Sequence, residues 1–539
     1  MSRPENPLTK YNQGAESPLD RIEHFLAYWA DQTPEADAAI DAGQCLSYAA
    51  LARRVDAAAH ALQASGVRDG DVIAVLAPPS IDFLVLFLAA HQSGATWLGL
   101  NPKYTRHELA DVLCDAKPTL VIARQVMAGR HYGDDLAYVA ALTGMAGSQF
   151  FWLGETQDWS DFPVFAPPPL RAEDQHRARD DKAPKNAIAA LVYTSGSTGK
   201  PKAACLSHQA LIKGAQVRSR VWKVTPFRTI NNLPVNHIGC LGDLVCTCLV
   251  SGGAQVFLEK FSADGTLDAI ERHKLTFWYQ APAMFQMCLD DPRAATMDWS
   301  HLQAAIWSGG RASDALIDAL AKVAGKLAVD YSMTESVGAV TLSELTNDLA
   351  LLRQSVGWPD PGRILRLVDP DTAAPVALGE VGEVQIKDPW MFSGYRKPQA
   401  NEGAFSPDGW FRTGDLVVEN PDGSWRIAGR CKEMFKSGGY NVYPREVEQV
   451  MESHPDVGQV AVVDVPDPLF GEVGVAFVAL NGAGTDVPTL VQYCRERLAN
   501  YKIPKRLVIV EALPMLPIGK VDKAALKAQA KVLTQALAG

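Results

Sequence analysis

From residue 72 to residue 331 the chain keeps returning to one pattern, in which a short apolar run is followed by a longer stretch with apolar positions at helical spacing. The runs at 72–76, 96–98, 119–123, 187–193, 255–258, 276–279, 304–307 and 326–331 read as strands, and 81–91, 105–116, 267–273 and 313–323 read as helices. Strands this short, alternating with helices, predict parallel sheets covered by helices. Such sheets bind ligands beyond the carboxyl ends of their strands, which places interest on the polar segments after each run. Ahead of the pattern, 21–62 reads as helices around a short link, the second opening at Leu46-Ser47-Tyr48. From about Ser355 short alternating strands take over, with Asn420-Pro421-Asp422-Gly423 as a hairpin signal. Past Arg430 a smaller unit follows: helix 445–453, strands 460–465 and 473–480, helix 487–499, strand 506–511 and a final helix from Lys523. A chain of 539 residues exceeds one ordinary core. The expected fold class is α/β: a large multi-layer N-terminal domain, 1–430, with a β-rich distal section, and a small α+β C-terminal domain, 431–539.

The apolar run 187–193 ends in Thr194-Ser195-Gly196-Ser197-Thr198-Gly199-Lys200-Pro201-Lys202. Glycines let successive N–H groups converge on an anion, and hydroxyls and ammonium groups add donors. The stretch is not a Walker A loop, since Gly196 and Gly199 enclose two residues and Pro201 stands where Ser or Thr would follow the lysine. Taken alone, a Gly/Ser/Thr cluster is equally a surface turn.

Composition narrows the partners. The 47% hydrophobic and 21% charged residues are those of an ordinary globular protein, and a net charge of −10 gives no global basic surface for nucleic acid or anionic membranes. Nine scattered cysteines, an odd number, read as reduced thiols in the cytoplasm. The polar start lacks the apolar core of a signal peptide, and the run 83–90 is too short to span a bilayer.

The stretch Thr194 to Lys202 resembles the phosphate loop of the adenylate-forming superfamily, which includes acyl-CoA synthetases, adenylation domains and beetle luciferases. Four more segments follow in that family's order: Tyr331-Ser332-Met333-Thr334-Glu335, Gly409-Trp410-Phe411-Arg412-Thr413-Gly414-Asp415, Gly429-Arg430-Cys431-Lys432, and Pro517-Ile518-Gly519-Lys520. The resemblance spans most of the chain and implies a mobile C-terminal domain.

It also implies roles. Thr194, Ser195, Gly196, Ser197, Thr198, Gly199 and Lys202 would cradle the phosphates of ATP, and Glu335 would ligate Mg²⁺, which accepts one or two carboxylates with waters. Tyr331 would stack on adenine beside Gly309 and Gly310, and Thr334 would touch phosphate. Asp415 offers two acceptor oxygens to the vicinal ribose hydroxyls, with Arg430 as a further contact. Lys432 would be the hinge and Lys520 the adenylation lysine. His237, in Pro234-Val235-Asn236-His237, resembles a residue that gates the acyl pocket. Gly438 and Gly439 fall in a segment like the loop lining the pantetheine tunnel of CoA ligases. Two departures, Arg311-Ala312 where alanine and proline are usual and Ser332 where glycine is usual, bear on the acyl pocket. Together with bulky Trp307 they suggest a pocket of modest depth, favouring short, medium or aryl acids.

The implied activity is ATP-dependent acyl-CoA ligation: a carboxylic acid becomes acyl-AMP, then passes to coenzyme A. With 19 residues after Lys520, a fused carrier domain is not expected, which favours free coenzyme A as acceptor. Three alternatives remain open at this level: loading of a separate carrier protein, a luciferase-like oxygenase, and a non-catalytic nucleotide-binding module.

Overall fold

The computed structural model describes residues 6–12, 19–153, 164–165, 187–194, 201–482, 484–515 and 521–535. Among these residues the alternating pattern forms two large sheets. The first has seven strands, ordered Lys202–Ser207, Ile188–Thr194, Thr96–Gly99, Val72–Leu76, Leu120–Ala123, Phe150–Leu153 and Val164–Phe165. All its pairings are parallel except that between Ile188–Thr194 and Lys202–Ser207. In the second sheet a parallel centre runs Lys326–Met333, Ala304–Trp307, Phe277–Gln280, Arg228–Asn231, Ala254–Phe257 and Asp37–Asp41, with antiparallel strands added at both edges.

Strands covered on both faces explain the continuous apolar runs. On Ala304–Trp307, Ala305 and Trp307 enter one core with Trp278, Leu316 and Ile317, while Ala304 and Ile306 enter another with Trp222 and Phe277. Trp307 is therefore a core residue at 2% exposure, which removes it from the set expected to limit the acyl pocket. Helices start where a hydroxyl can accept an orphan N–H: Ser207 takes the amide of Ala210 at 3.2 Å, and Ser313 that of Leu316 at 3.2 Å.

One expectation fails between residues 21 and 62. Helices Ile22–Gln32 and Tyr48–Ala64 are present, but a hairpin, Asp37–Asp41 with Gln44–Ser47, stands between them. Its alanines favour helix locally; pairing of Ala39 and Ile40 with Gln255 and Val256, far away in sequence, overrides that preference.

The β-rich section is a four-stranded antiparallel sheet, Leu365–Val368, Val381–Ile386, Phe411–Glu419 and Trp425–Arg430, the last two joined at the expected hairpin. A fourth sheet contains Phe435–Ser437, Tyr440–Val442, Val457–Asp467, Gly471–Leu480 and Arg506–Val510, flanked by helices Pro444–Glu452, Val487–Arg495 and Lys523–Gln535. The pair Phe435–Ser437 and Tyr440–Val442, read from sequence only as a loop, is a short hairpin turning through Gly438 and Gly439 at φ of 57° and 86°.

Candidate functional site

Strand Ile188–Thr194 and its neighbour Lys202–Ser207 hold Thr194 and Lys202 in register opposite each other. The ends of the glycine-rich stretch are thus side by side, while Ser195, Gly196, Ser197, Thr198 and Gly199 lie outside the described residues. The Thr194 hydroxyl donates to Oε1 of Glu335 at 3.2 Å. The same oxygen accepts the phenol of Tyr395 at 2.8 Å. Burial, then the Glu335 carboxylate, pushes that phenol far above its ordinary pKa, so it remains a donor.

Glu335 lies just beyond strand Lys326–Met333, which also carries Tyr331. The Tyr331 hydroxyl donates to Oδ2 of Asp415 at 2.8 Å, and Oδ1 of Asp415 lies 2.9 Å from Nε of Arg430. Asp415 and Arg430 are register partners in the third sheet, so the backbone ladder presets their ion pair. Burial and the Asp415 charge hold the Tyr331 phenol well above its usual range, and the same carboxylate raises the Arg430 guanidinium. Thr334 is buried between these groups in sequence, at 7% exposure. Two hydrogen-bonded groups result, Thr194 with Glu335 and Tyr331 with Asp415 and Arg430, joined through the segment from Tyr331 to Glu335.

The loop after Trp307 adjoins these groups. Ser308 donates to the carbonyl of Asp330 at 3.3 Å, and its hydroxyl lies 3.3 Å from that of Ser332. Gly309 has φ of 78°, a conformation that favours glycine, and Gly309 and Gly310 are exposed. Arg311 does not enter an apolar pocket. It faces Asp314 at 3.6 Å and Glu452 of helix Pro444–Glu452 at 3.5 Å.

His237 is exposed and precedes a π-helical segment, Gly239–Cys246. Its Nδ1 accepts the Gly239 amide at 3.0 Å, which assigns the proton of the neutral ring to Nε2. The loop is seated on the first sheet: Trp97 Nε1 donates to the Val235 carbonyl at 3.4 Å, and a Cβ on Gly99 would stand 2.2 Å from that oxygen.

Of the other expected residues, Lys432, Gly438 and Gly439 make no described hydrogen bond to these groups, whereas Lys202 stands opposite Thr194. Lys432 is exposed. Gly438 donates to the Phe470 carbonyl at 2.8 Å, within the fourth sheet, so the glycine turn is built into that unit. Lys202 donates to the Ala400 carbonyl at 3.3 Å. Lys520 lies outside the described residues.

Two features escape sequence reasoning. Tyr395 is one; its only signal is the Gly394-Tyr395 pair after a strand-rich stretch. The other is a buried cluster behind Tyr331. Arg218 Nη2 lies 2.8 Å from Asp243 and 2.9 Å from Asp330, and the Tyr279 hydroxyl reaches the same two carboxylates at 3.1 and 3.3 Å. Burial raises the Asp243 carboxyl pKa against the pull of Arg218, with Asp330 adding to the rise. Polar residues on apolar strand and helix faces were the available signal.

Residues 26–396 match the family described as AMP-binding enzyme. The chain belongs to that family. Residues 446–520 match the AMP-binding enzyme C-terminal domain. A feruloyl-CoA synthase of an Amycolatopsis species is 33% identical over 504 residues, covering 92% of this chain and 96% of the relative. An indoleacetate–CoA ligase of Aromatoleum aromaticum is 32% identical, covering 89% and 92%. Among solved structures, ATP-bound MatB from Rhodopseudomonas palustris superposes with a TM-score of 0.82 at 30% identity, covering 95% of this chain and 99% of that one. The amide bond synthetase McbA from Marinactinospora thermotolerans gives 0.84 at 28% identity, covering 94% and 99%. In this family the adenylate-forming fold seen here is the expected one, and no described helix is long and apolar enough to cross a membrane.

Proposed function

We propose that this AMP-binding enzyme is an ATP-dependent acid–thiol ligase that activates a carboxylic acid as acyl-AMP and transfers the acyl group to coenzyme A. The observation that carries the reading is the pair of hydrogen-bonded groups, Thr194 with Glu335 on the phosphate side and Tyr331 with Asp415 and Arg430 on the ribose side, held together by the short segment from Tyr331 to Glu335. A carboxylate oxygen attacks the α-phosphorus, the α–β phosphoanhydride breaks, and pyrophosphate leaves. The thiol sulfur, losing its proton, then attacks the acyl carbon and the carbon–oxygen bond to AMP breaks.

Within this reading Asp415 accepts from the ribose hydroxyls, Arg430 holds the Asp415 carboxylate in place, and Tyr331 presents its ring to adenine with its hydroxyl anchored. Glu335 fits a Mg²⁺ site, because one carboxylate beside phosphates suffices for that ion and both described hydrogen bonds to its side chain fall on a single oxygen. Bound there, the ion supplies charge neutralisation on the phosphates. His237, whose Nδ1 accepts the Gly239 amide, would gate the acyl pocket. Lys520 neutralises α-phosphate charge during adenylation.

The third sheet ends at Arg430 and the fourth begins at Phe435, which supports a domain boundary at 430/431 with Lys432 as hinge. After that domain turns, Gly438 and Gly439 line the thiol's path. For the acid, the reading favours aryl or short to medium aliphatic substrates, as the ring-bearing acids in the relatives' names suggest; Ser332, 3.3 Å from the Ser308 hydroxyl, would add atoms at the proposed pocket wall where glycine is usual. The place of action is the cytoplasm, a setting in keeping with nine free cysteines.

The test is pyrophosphate release across a panel of carboxylates, with CoA present and absent. Acid-dependent release and a CoA thioester product are expected. Release without thioester, and amide formation when an amine replaces CoA, would turn the reading toward the amide bond synthetases. ATP binding without turnover on any acid would overturn it.

A further inference from the structure

Tyr395 stands at a junction that the ligase reading does not by itself require. Its hydroxyl donates to Oε1 of Glu335 at 2.8 Å, the shorter of the two hydrogen bonds described on that oxygen. Its ring lies 5.2 Å from Nζ of Lys202, at the far end of the glycine-rich stretch, and packs edge-on against Phe392 at 5.0 Å. Its backbone is clamped by Asn401, which accepts the Tyr395 amide at 2.8 Å and donates to the Tyr395 carbonyl at 2.9 Å. The segment is also laid along the return strand, with Cys205 donating to Gly394 at 3.0 Å and Arg396 donating to Ala203 at 2.9 Å. A tyrosine held at backbone, ring and hydroxyl has little freedom, and the carboxylate it holds inherits that fixity.

We infer that Tyr395 is a positioning residue for the divalent cation of the nucleotide site: it fixes one oxygen of the Glu335 carboxylate so that the other faces the metal. The inference rests on the ligase reading and deepens it. Outer hydrogen-bond partners of metal-ligating carboxylates set ligand orientation, and removing one typically costs roughly 10–100-fold in metal affinity. Thr194 alone, at 3.2 Å, would leave Glu335 free to swing about that single contact. Because the ring also sits against Lys202, the two ends of the phosphate stretch and the cation ligand are referred to one side chain.

The experiment measures Mn²⁺ binding by electron paramagnetic resonance, with the full-length protein and an ATP analogue whose α–β bridge is methylene and cannot be cleaved. Tyr395→Phe keeps the ring under Lys202 and removes only the hydroxyl. Expected is a roughly 10–100-fold weaker Mn²⁺ affinity of the protein–analogue complex, with a changed Mn²⁺ spectrum, while analogue affinity in excess chelator stays within about twofold of wild type. Glu335→Gln serves as the benchmark for loss of the ligand itself. Mn²⁺ affinity within about twofold of wild type, or equal loss of analogue binding with and without metal, would overturn the inference. If Y395F does not fold, Tyr395→His, aromatic and polar but too short to reach Glu335, is read by the same two criteria. A wild-type protein that binds no Mn²⁺ with the analogue would overturn the ligase reading itself, whereas a normal wild type beside an unaffected variant overturns the positioning role alone.

Discussion

Tyr331 and Asp415 meet across 2.8 Å, joining the end of a strand in the second sheet to a strand of the third. The bond fixes the aromatic ring relative to the carboxylate, and Arg430 holds the other carboxylate oxygen at 2.9 Å. A ribose seated on Asp415, as proposed, would have its base directed to the ring by groups already in place.

Replacing Asp415 with Asn keeps the shape and removes the charge. ATP should then bind roughly tenfold more weakly or worse, the scale for a hydrogen bond to a charged acceptor. Titration calorimetry with ATP and with 2′,3′-dideoxy-ATP checks the role: wild type should discriminate strongly between them and D415N hardly at all. Undiminished discrimination in D415N would place the ribose elsewhere.

The proposed hinge makes a different demand. Hinges absorb changes in φ and ψ, and proline fixes φ near −65°. Lys432→Pro should leave acid-dependent pyrophosphate formation measurable while thioester formation falls steeply. Equal loss of both half-reactions, in a folded variant, would argue for a boundary elsewhere.

Lys520 is expected to act in one half-reaction. Charge builds on the α-phosphate only while the adenylate forms, and removing one electrostatic stabiliser costs roughly 10²–10³-fold. Lys520→Ala should lose that much in pyrophosphate formation and far less in conversion of synthetic acyl-AMP to acyl-CoA. Its neighbour Lys523 is tied to Glu433 at 2.6 Å and Glu448 at 2.9 Å, so the chain just after Lys520 is anchored to the unit that would carry it.

Acid sensitivity of the fold has an identifiable contributor. His91 is wholly buried, donates Nε2–H to the Ala189 carbonyl at 3.0 Å, and packs on Phe87 and His208. Burial lowers its pKa from 6.5 to about 4, against the raising influence of Glu23. The unfolded chain takes up this proton below 6.5 and the folded chain resists it. The associated stability is complete above 6.5 and lost as pH falls toward 4, up to roughly 3 kcal/mol for such a shift. Urea unfolding of His91→Gln across that window should show a flatter pH slope than wild type; an unchanged slope would assign the sensitivity to other groups.

Much of this was legible in the residues. Short apolar runs separated by helical spacing define parallel strands with little ambiguity, because burial on both faces demands them. The segments that carry Asp415, Glu335 and Tyr331 could be singled out because they follow one another in the order of the resembled family. Tyr395 could not, since its hydroxyl meets Glu335, 60 positions earlier in sequence, only in the folded chain. Arg218, Asp243 and Tyr279 were hidden for a related reason: each is one polar residue on an apolar element, and only the packing brings them together. The hairpin at Asp37–Ser47 was masked by alanines whose local preference yields to pairing with Gln255 and Val256. Trp307 could not be assigned to pocket or core from spacing alone, because a strand buried on both faces offers no polar side to orient it.

In the proposed reaction a carboxylate oxygen attacks the α-phosphate of ATP and stays with AMP when the thiol displaces it. A substrate acid labelled with ¹⁸O in its carboxylate, turned over with ATP and CoA, tests this directly by mass spectrometry of the products. One ¹⁸O is expected in AMP and none in pyrophosphate. Label in inorganic phosphate, or AMP formed without label, would contradict it.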